Sequence, residues 1–303
     1  MSMRFPDFII MGAMKAGTTS LYTYLRRHPS IFMPANKEPQ FFSLDAKYSL
    51  GMPWYHSLFE PAKQGNVCGE ASTCYSRAAT HPLAASRILQ SIPNVRLLYL
   101  LRNPVDRTYS HYRHRMRERV IDGQDMLTLQ QYLEAEPEAI DASLYLRQIK
   151  VYLETGFSRE QIEVLLTDDL IADPLTTLNK VQAFVGVEQH DLVHGRPLHS
   201  NSADVSAVLT ARQKIRSLLI DLRGTPGIKQ VTDVVPLRIR VAVVAATSTL
   251  ISKTLIAKKM SRDMHGRMTP LSAAHRSRLA RLFRTSVVEL GDWLDRDLTA
   301  WLH

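Results

Sequence analysis

The hydrophobic pattern opens with four consecutive apolar residues, Phe8 to Met11, set between Asp7 and Gly12. So short a run without alternation fits a central strand of a parallel sheet, buried on both faces. Helical spacing follows at once, with Leu21, Tyr24 and Leu25 leading to His28-Pro29, where proline disfavours helical backbone in the residue before it. Val67 to Glu70 predicts a second short strand with a polar tip, and His81 to Leu89 an amphipathic helix. Val95 to Leu101 is the strongest buried-strand pattern of the chain, and it runs into Arg102-Asn103-Pro104, where proline suits the first turn of a helix from Val105 to about Glu118. Leu127–Leu133 and Leu144–Thr155 predict helices, Gln161–Leu166 a strand closed by Thr167-Asp168-Asp169, and Leu175–Val185 a helix after Asp173-Pro174. Tyr48 to Gly65 is expected as loop. An amphipathic helix from Ser272 to Leu290 precedes an apolar end, Trp293, Leu294, Leu298 and Trp301, expected to dock on the body. The alternation of strand and helix predicts an α/β fold, a doubly wound parallel sheet with helices on both faces.

After Gly186 the pattern becomes irregular through His190 to Ser206. A helix is expected at Leu209–Leu222, then a break at Gly224 to Gly227, then a stretch in which Val241 to Ile251 is mostly apolar and flanked by Arg238, Arg240, Lys253, Lys258 and Lys259. Eleven residues are too few to span a bilayer as a helix. Such a segment lies on a membrane surface, covers a site as a lid, or packs on the body with its basic edge in water.

At 303 residues and 45% hydrophobic, the chain can bury a full core, and a single domain over 1–303 is expected, with 225–268 as a basic, partly apolar helical insertion or lid. The formal charge of +9 is uneven: Ala211 to Arg284 holds sixteen Lys or Arg against three Asp, a local balance of +13, which leaves the remainder at −4. A basic region of that kind meets phosphate, an anionic membrane surface or an acidic substrate. No base-stacking aromatic array or nucleic-acid motif accompanies it, so no nucleic-acid partner is expected. Cys68 and Cys74 are too few for a disulfide framework and lack the spacing of a zinc site. The first residues show no secretory pattern, and the expectation is a cytoplasmic protein with peripheral membrane contact through 238–259 as an option.

The chemistry concentrates where predicted strands end. Gly12 and Gly17 bracket the turn after the first strand, and Thr18, Thr19 and Ser20 supply amides and hydroxyls at a helix start, an arrangement suited to an anion. The two glycines keep the GxxxxG spacing of a nucleoside-triphosphate loop, but Thr18 stands where that motif has its lysine, and Lys15 sits inside the loop. The plainer alternative is an ordinary strand-to-helix turn. Lys37 and Glu38 precede Pro39 and the pair Phe41-Phe42: either a solvated charge pair beside two buried rings, or a carboxylate held near the anion loop. Glu70 is a site carboxylate or an exposed strand end. Arg102 and Ser110 are placed to share a phosphate, the guanidinium fork taking two oxygens; the competing partner for Arg102 is Asp106.

Together these segments resemble the sulfotransferases that use 3′-phosphoadenosine 5′-phosphosulfate, in particular the branch of heparan sulfate and bacterial carbohydrate sulfotransferases. KAGTTSL (Lys15 to Leu21) is similar to that family's 5′-phosphosulfate loop, KEPQFF (Lys37 to Phe42) to the segment carrying its catalytic glutamate, and LLYLLRNPVDRTYSHY (Leu97 to Tyr112) to its 3′-phosphate element, all in the family's order. The segment from Ser143 to Val187 resembles the family's later strand and helices, and GDWLDRDLTAW its C-terminal end. Thr225 to Met268 resembles nothing recognised. The resemblance implies a nucleotide-binding, P-loop-like fold and sulfuryl transfer to a hydroxyl or amine of a carbohydrate, lipid or other small molecule. It implies Glu38 as base and Lys15 as stabiliser of the leaving group. Lys15, Ala16, Gly17, Thr18, Thr19 and Ser20 would hold the 5′-phosphosulfate, Arg102 and Ser110 would select the 3′-phosphate, Glu70 would contact the acceptor, and no metal is required. Some heparan-type relatives carry a lysine where this chain has Ala71, which argues against a heparan-like anionic acceptor. A nucleotide-dependent kinase and a noncatalytic basic binder of membrane or nucleic acid are the alternatives that the residues leave open.

Overall fold

The run from Phe8 becomes strand β1 (Phe8–Gly12), all five residues buried, in a computed structural model that describes residues 4–194 and 270–303. Four further strands, β2 (Ile31–Phe32), β3 (Val67–Glu70), β4 (Arg96–Leu101) and β5 (Ile162–Leu166), complete a sheet of order β2-β3-β1-β4-β5. Every pairing is parallel. Parallel pairing needs crossovers, and the intervening helices supply them and cover the sheet. This confirms the doubly wound α/β expectation.

The order has a functional consequence. From β1 the chain turns toward β2 and β3, whereas from its neighbour β4 it turns the other way to β5. Adjacent strands whose connections diverge leave a crevice at their C-terminal ends. The loop after β1 and the Arg102-Asn103 turn after β4 are the two walls of that crevice.

Local chemistry fixes these walls. The helix Pro104–Ile121 starts with Pro104 in its first turn, and Asn103 Oδ1 accepts the amide of Val105 at 2.9 Å. Asp173 caps the helix Pro174–Val185 by accepting from the Thr176 amide at 3.1 Å. The C-terminal helix Ala273–Leu294 begins at a Ser272 cap and buries Leu279, Phe283, Val287 and Leu290. Beyond it Trp301 and Leu302 are buried, as the apolar terminus suggested, while Arg159 covers the ring of Trp293 at 4.1 Å.

Three elements depart from expectation. Gly51–Ser57 is a helix inside the predicted loop, admitted because Pro53 lies in its first turn and Trp54 and Tyr55 are buried. Thr167–Ala172 is a helix rather than a turn, with Asp168 and Asp169 in its first turn, where the helix dipole favours carboxylates. The two-residue β2 is too short to carry any periodicity. Both cysteines are buried and unpaired with each other. Among the described residues no helix is long and apolar enough to cross a membrane. The predicted helix at 209–222, the insertion at 225–268, the basic segment 238–259 and most of the loop at 190–206 lie outside the described residues.

The sheet leaves no room for a side chain at Gly69. A Cβ there would lie 2.2 Å from Cζ of the fully buried Phe8 ring. Gly69→Ala is therefore expected to lower stability by about 1–3 kcal/mol through overpacking. Denaturant unfolding checks it, and an unchanged midpoint would mean that β1 and β3 are less tightly apposed than described.

Candidate functional site

The loop after β1 begins at a position only glycine can fill, since a Cβ on Gly12 would lie 2.0 Å from Ser76 Oγ. Lys15 and Gly17 then take left-handed backbone at φ 74° and 95°. That is ordinary for glycine and uncommon for lysine. Surrounding elements hold the loop: the Ala13 amide donates to the Leu100 carbonyl at 2.8 Å, and Thr167 Oγ1 shares its one proton between the carbonyls of Ala16 at 2.6 Å and Leu101 at 2.8 Å. Arg107, fully buried, reaches the Met14 carbonyl with Nη1 at 3.5 Å and anchors itself through Nε on Ser143 Oγ at 2.5 Å. Gly17 then serves as N-cap of the helix Thr18–Leu25 without a side chain to close it. The leading amides of that helix, at Thr18 and Thr19, have no acceptor within the helix and form a natural seat for an anion.

Positive charge gathers around this seat. The Lys15 ammonium is pushed down to about 8, first by burial and then by the charges of Arg117, Arg102 and Lys37, with Glu118 opposing them. Arg102, half-buried at the end of β4, donates through Nη1 to the Lys15 carbonyl at 3.5 Å. Its anticipated competitor is engaged elsewhere, because Asp106 pairs with Arg276 of the C-terminal helix at 2.7 Å. Among the described residues Arg102 has no carboxylate partner. Ser110 is half-buried on the helix that starts after Arg102, and the two share no hydrogen bond. His114 and Arg117 follow Ser110 at helical spacing on one stripe. Burial, Lys15 and Arg117 push His114 down to about 4, against the pull of Glu118. His114 and Arg117 were not singled out from sequence, although the 110, 114, 117 spacing after a strand-end arginine was a usable signal.

The carboxylate of Glu38 faces the same seat. Its Oε1 accepts from Lys37 Nζ at 2.7 Å and its Oε2 from Thr73 Oγ1 at 3.1 Å, while about a third of its side chain stays in contact with solvent. Lys37, only 4% exposed, also donates to Thr18 Oγ1 at 3.3 Å. Phe41 and Phe42 are fully buried, Phe41 stacking on Tyr55 at 4.6 Å, and the burial of Lys37 excludes a fully solvated charge pair.

Glu70 departs from expectation. It is 0% exposed and lies in the core, accepting from Tyr55 Oη at 3.1 Å and Ser72 Oγ at 2.7 Å, so the exposed strand end is excluded. Tyr55 belongs to the unanticipated helix, which is why sequence did not reveal the burial. Burial pushes the Glu70 carboxyl up to about 7, against the opposing hydrogen bonds from Ser72, Tyr75 and Tyr55. Ser72 Oγ in turn accepts the Gln40 amide at 3.0 Å, and the Ala71 amide donates to the Lys37 carbonyl at 3.1 Å. The strand end bearing Glu70 therefore braces the segment that carries Glu38, in which Gln40 sits at φ 57°.

The family model described as "Sulfotransferase domain" matches residues 5–201. The membrane-associated sulfotransferase kil1 of Dictyostelium discoideum is 37% identical over 110 residues, covering 35% of this chain and 22% of that protein. Heparan sulfate glucosamine 3-O-sulfotransferase 3A1 of Mus musculus is 28% identical over 193 residues, covering 62% of this chain and 47% of that protein. The chain spans less than half the length of these curated relatives. Among solved structures, a sulfotransferase from Alicyclobacillus acidocaldarius superposes with a TM-score of 0.64 at 25% identity, covering 99% of this chain and 100% of that one.

The buried Glu70 makes stability depend on pH. The folded chain keeps this proton to about pH 7, whereas the unfolded chain releases it near 4.5. The folded state therefore binds more protons across that window, and stability falls as pH rises through it. Glu70→Gln, neutral at every pH, is expected to gain on the wild type between pH 5 and pH 8 by up to about 3 kcal/mol. Denaturant melts at the two pH values test this, and a gap that stays constant would rule out a buried, proton-holding Glu70.

Proposed function

The chain belongs to the sulfotransferase domain family, and from that premise we propose that it moves a sulfuryl group from 3′-phosphoadenosine 5′-phosphosulfate to a hydroxyl or amine of a carbohydrate, lipid or other small molecule. The observation that carries this proposal is the meeting of cations from separate segments, Lys15, Lys37, Arg102 and Arg117, around one capless helix start, with the Glu38 carboxylate bonded to one of them. A donor with phosphates at both ends of a nucleoside needs two anion seats. The amides of Thr18 and Thr19 with Lys15 suit the 5′ group. Arg102 and Ser110, with His114 and Arg117 on the same stripe, suit the 3′-phosphate.

The chemistry assigned to the residues is an in-line displacement. The acceptor's lone pair attacks sulfur, the bond between sulfur and the 5′-phosphate oxygen breaks, and the electron pair leaves with adenosine 3′,5′-bisphosphate. Glu38 takes the proton released by the acceptor, and the Lys15 ammonium stabilises the charge that grows on the departing oxygen. A sulfuryl group carries less negative charge than a phosphoryl group, in keeping with a loop that has threonine where triphosphate loops place lysine. Ala71, buried where some heparan-type relatives carry lysine, offers no charge to an anionic acceptor.

Calorimetry separates this function from a kinase and from a noncatalytic binder. Adenosine 3′,5′-bisphosphate is expected to bind without added metal, and more tightly than ATP with magnesium. Preference for ATP with magnesium would point to a kinase, and binding of neither to a binder. Glu38→Gln is expected to keep bisphosphate affinity within about threefold while losing roughly 10²–10⁴ in turnover, as removal of a general base does. The assay is transfer of labelled sulfuryl to acceptors found by screening sugars, lipids and other hydroxyl or amine compounds. Undiminished transfer would assign the base elsewhere.

A further inference from the structure

Lys37 is one of the gathered cations but is given no step in the transfer above, yet it is the most buried ammonium at the site. At 4% exposure it must satisfy its N–H groups inside the protein, and it does so with Glu38 Oε1 at 2.7 Å and Thr18 Oγ1 at 3.3 Å. One of these acceptors is the candidate base, and the other is the first residue of the helix proposed to hold the donor's 5′ group. Its charge is also among those acting on Lys15, so the two ammonium groups share one electrostatic site.

We propose that Lys37 is a donor-contacting residue whose ammonium is held by Glu38 in the ligand-free protein and passes to a sulfuryl oxygen when the donor binds. The proposal rests on the sulfotransferase function given above and names a residue outside the donor set. Thr18 keeps the Nζ beside the anion seat, so exchange of partners needs only rotation about the flexible end of the lysine side chain. Glu38 keeps its Thr73 hydrogen bond at 3.1 Å and stays in place, while Oε1, released by the ammonium, becomes free to accept the acceptor's proton. The base is thereby occupied until a donor is present. An arriving anion shifts this equilibrium only through the extra affinity it has for a free ammonium, and the sulfuryl oxygens are what the donor has and the bisphosphate product lacks.

Calorimetry on the full chain with the intact donor and with adenosine 3′,5′-bisphosphate tests this without knowledge of the acceptor. In Lys37→Met the ratio of donor affinity to bisphosphate affinity is expected to fall about tenfold from wild type, with bisphosphate affinity itself within about threefold. Equal loss of both would make Lys37 structural, and loss of neither would make it a bystander; each overturns the proposal. Should Lys37→Met not fold, Lys37→Arg decides, because it keeps charge and burial. A guanidinium holds a carboxylate bidentately and is expected to stay with Glu38, so the ratio falls again. An unchanged ratio in Lys37→Arg would also overturn it. If wild type binds neither nucleotide, the sulfotransferase function itself fails, a result distinguishable from all of these.

Discussion

Like charges packed at the mouth of a parallel sheet are the constraint from which the site follows. Lys15 has its proton loosened to about 8 by burial and by Arg117, Arg102 and Lys37, an arrangement that costs free energy as long as no anion is present. The nearby carboxylates offset part of that cost without cancelling it. Glu38 takes Lys37, Glu118 takes Arg115 at 2.9 Å, and Asp106 takes Arg276. Arg102 is left facing a carbonyl rather than a carboxylate. A site in which Lys37 is compensated, but the strand-end Arg102 beside the Lys15 carbonyl has no carboxylate partner among the described residues, favours anions in its ground state.

Such a preference needs walls that do not collapse, and the surrounding contacts supply them. The fully buried Arg107 ties the Met14 carbonyl to Ser143 and to the carbonyl of Ala139. Tyr145 Oη donates to the Arg102 carbonyl at 2.7 Å, and Asn103, while capping its helix, donates through Nδ2 to the Trp301 carbonyl at 3.2 Å. Trp301 in turn donates its indole N–H to Asp168 at 2.8 Å, while Arg296 grips Asp169 with both nitrogens. The last turn of the chain thus fixes the strand-end arginine from behind. Charged groups held by rigid elements lose less freedom when a ligand arrives.

Much of this was legible in sequence wherever the signal was local. The apolar runs at Phe8 and Val95, the glycines at 12 and 17, and Asn103-Pro104 each encode their own strand or turn, and the sheet order places them at one crevice. What could not be read depends on partners distant in sequence. Nothing near Glu70 announces Tyr55, which reaches it from a helix hidden in a stretch rich in glycine, proline and aromatics. Lys37 reads as a loop lysine until Thr18 and Glu38 close around it. The pairing of Asp106 with Arg276, across 170 positions, removed the competitor for Arg102 that local sequence had offered. His114 and Arg117 were visible as spacing but carried no meaning before Lys15 was placed opposite them.

Glu38 and Glu70 show how one side-chain type is given two tasks by burial alone. They are linked through adjacent hydroxyls, Thr73 serving Glu38 and Ser72 serving Glu70. Glu38 opens to solvent and holds the Lys37 ammonium. Glu70 has no solvent, a hydroxyl on each oxygen and a carboxyl raised to about 7, so near neutrality it is as much a hydrogen-bonding wedge as a charge. The wedge holds Ser72, Ser72 holds the Gln40 amide, and that segment presents Glu38. Glu38 is consequently braced by the strand behind it, although it sits in a loop between two prolines.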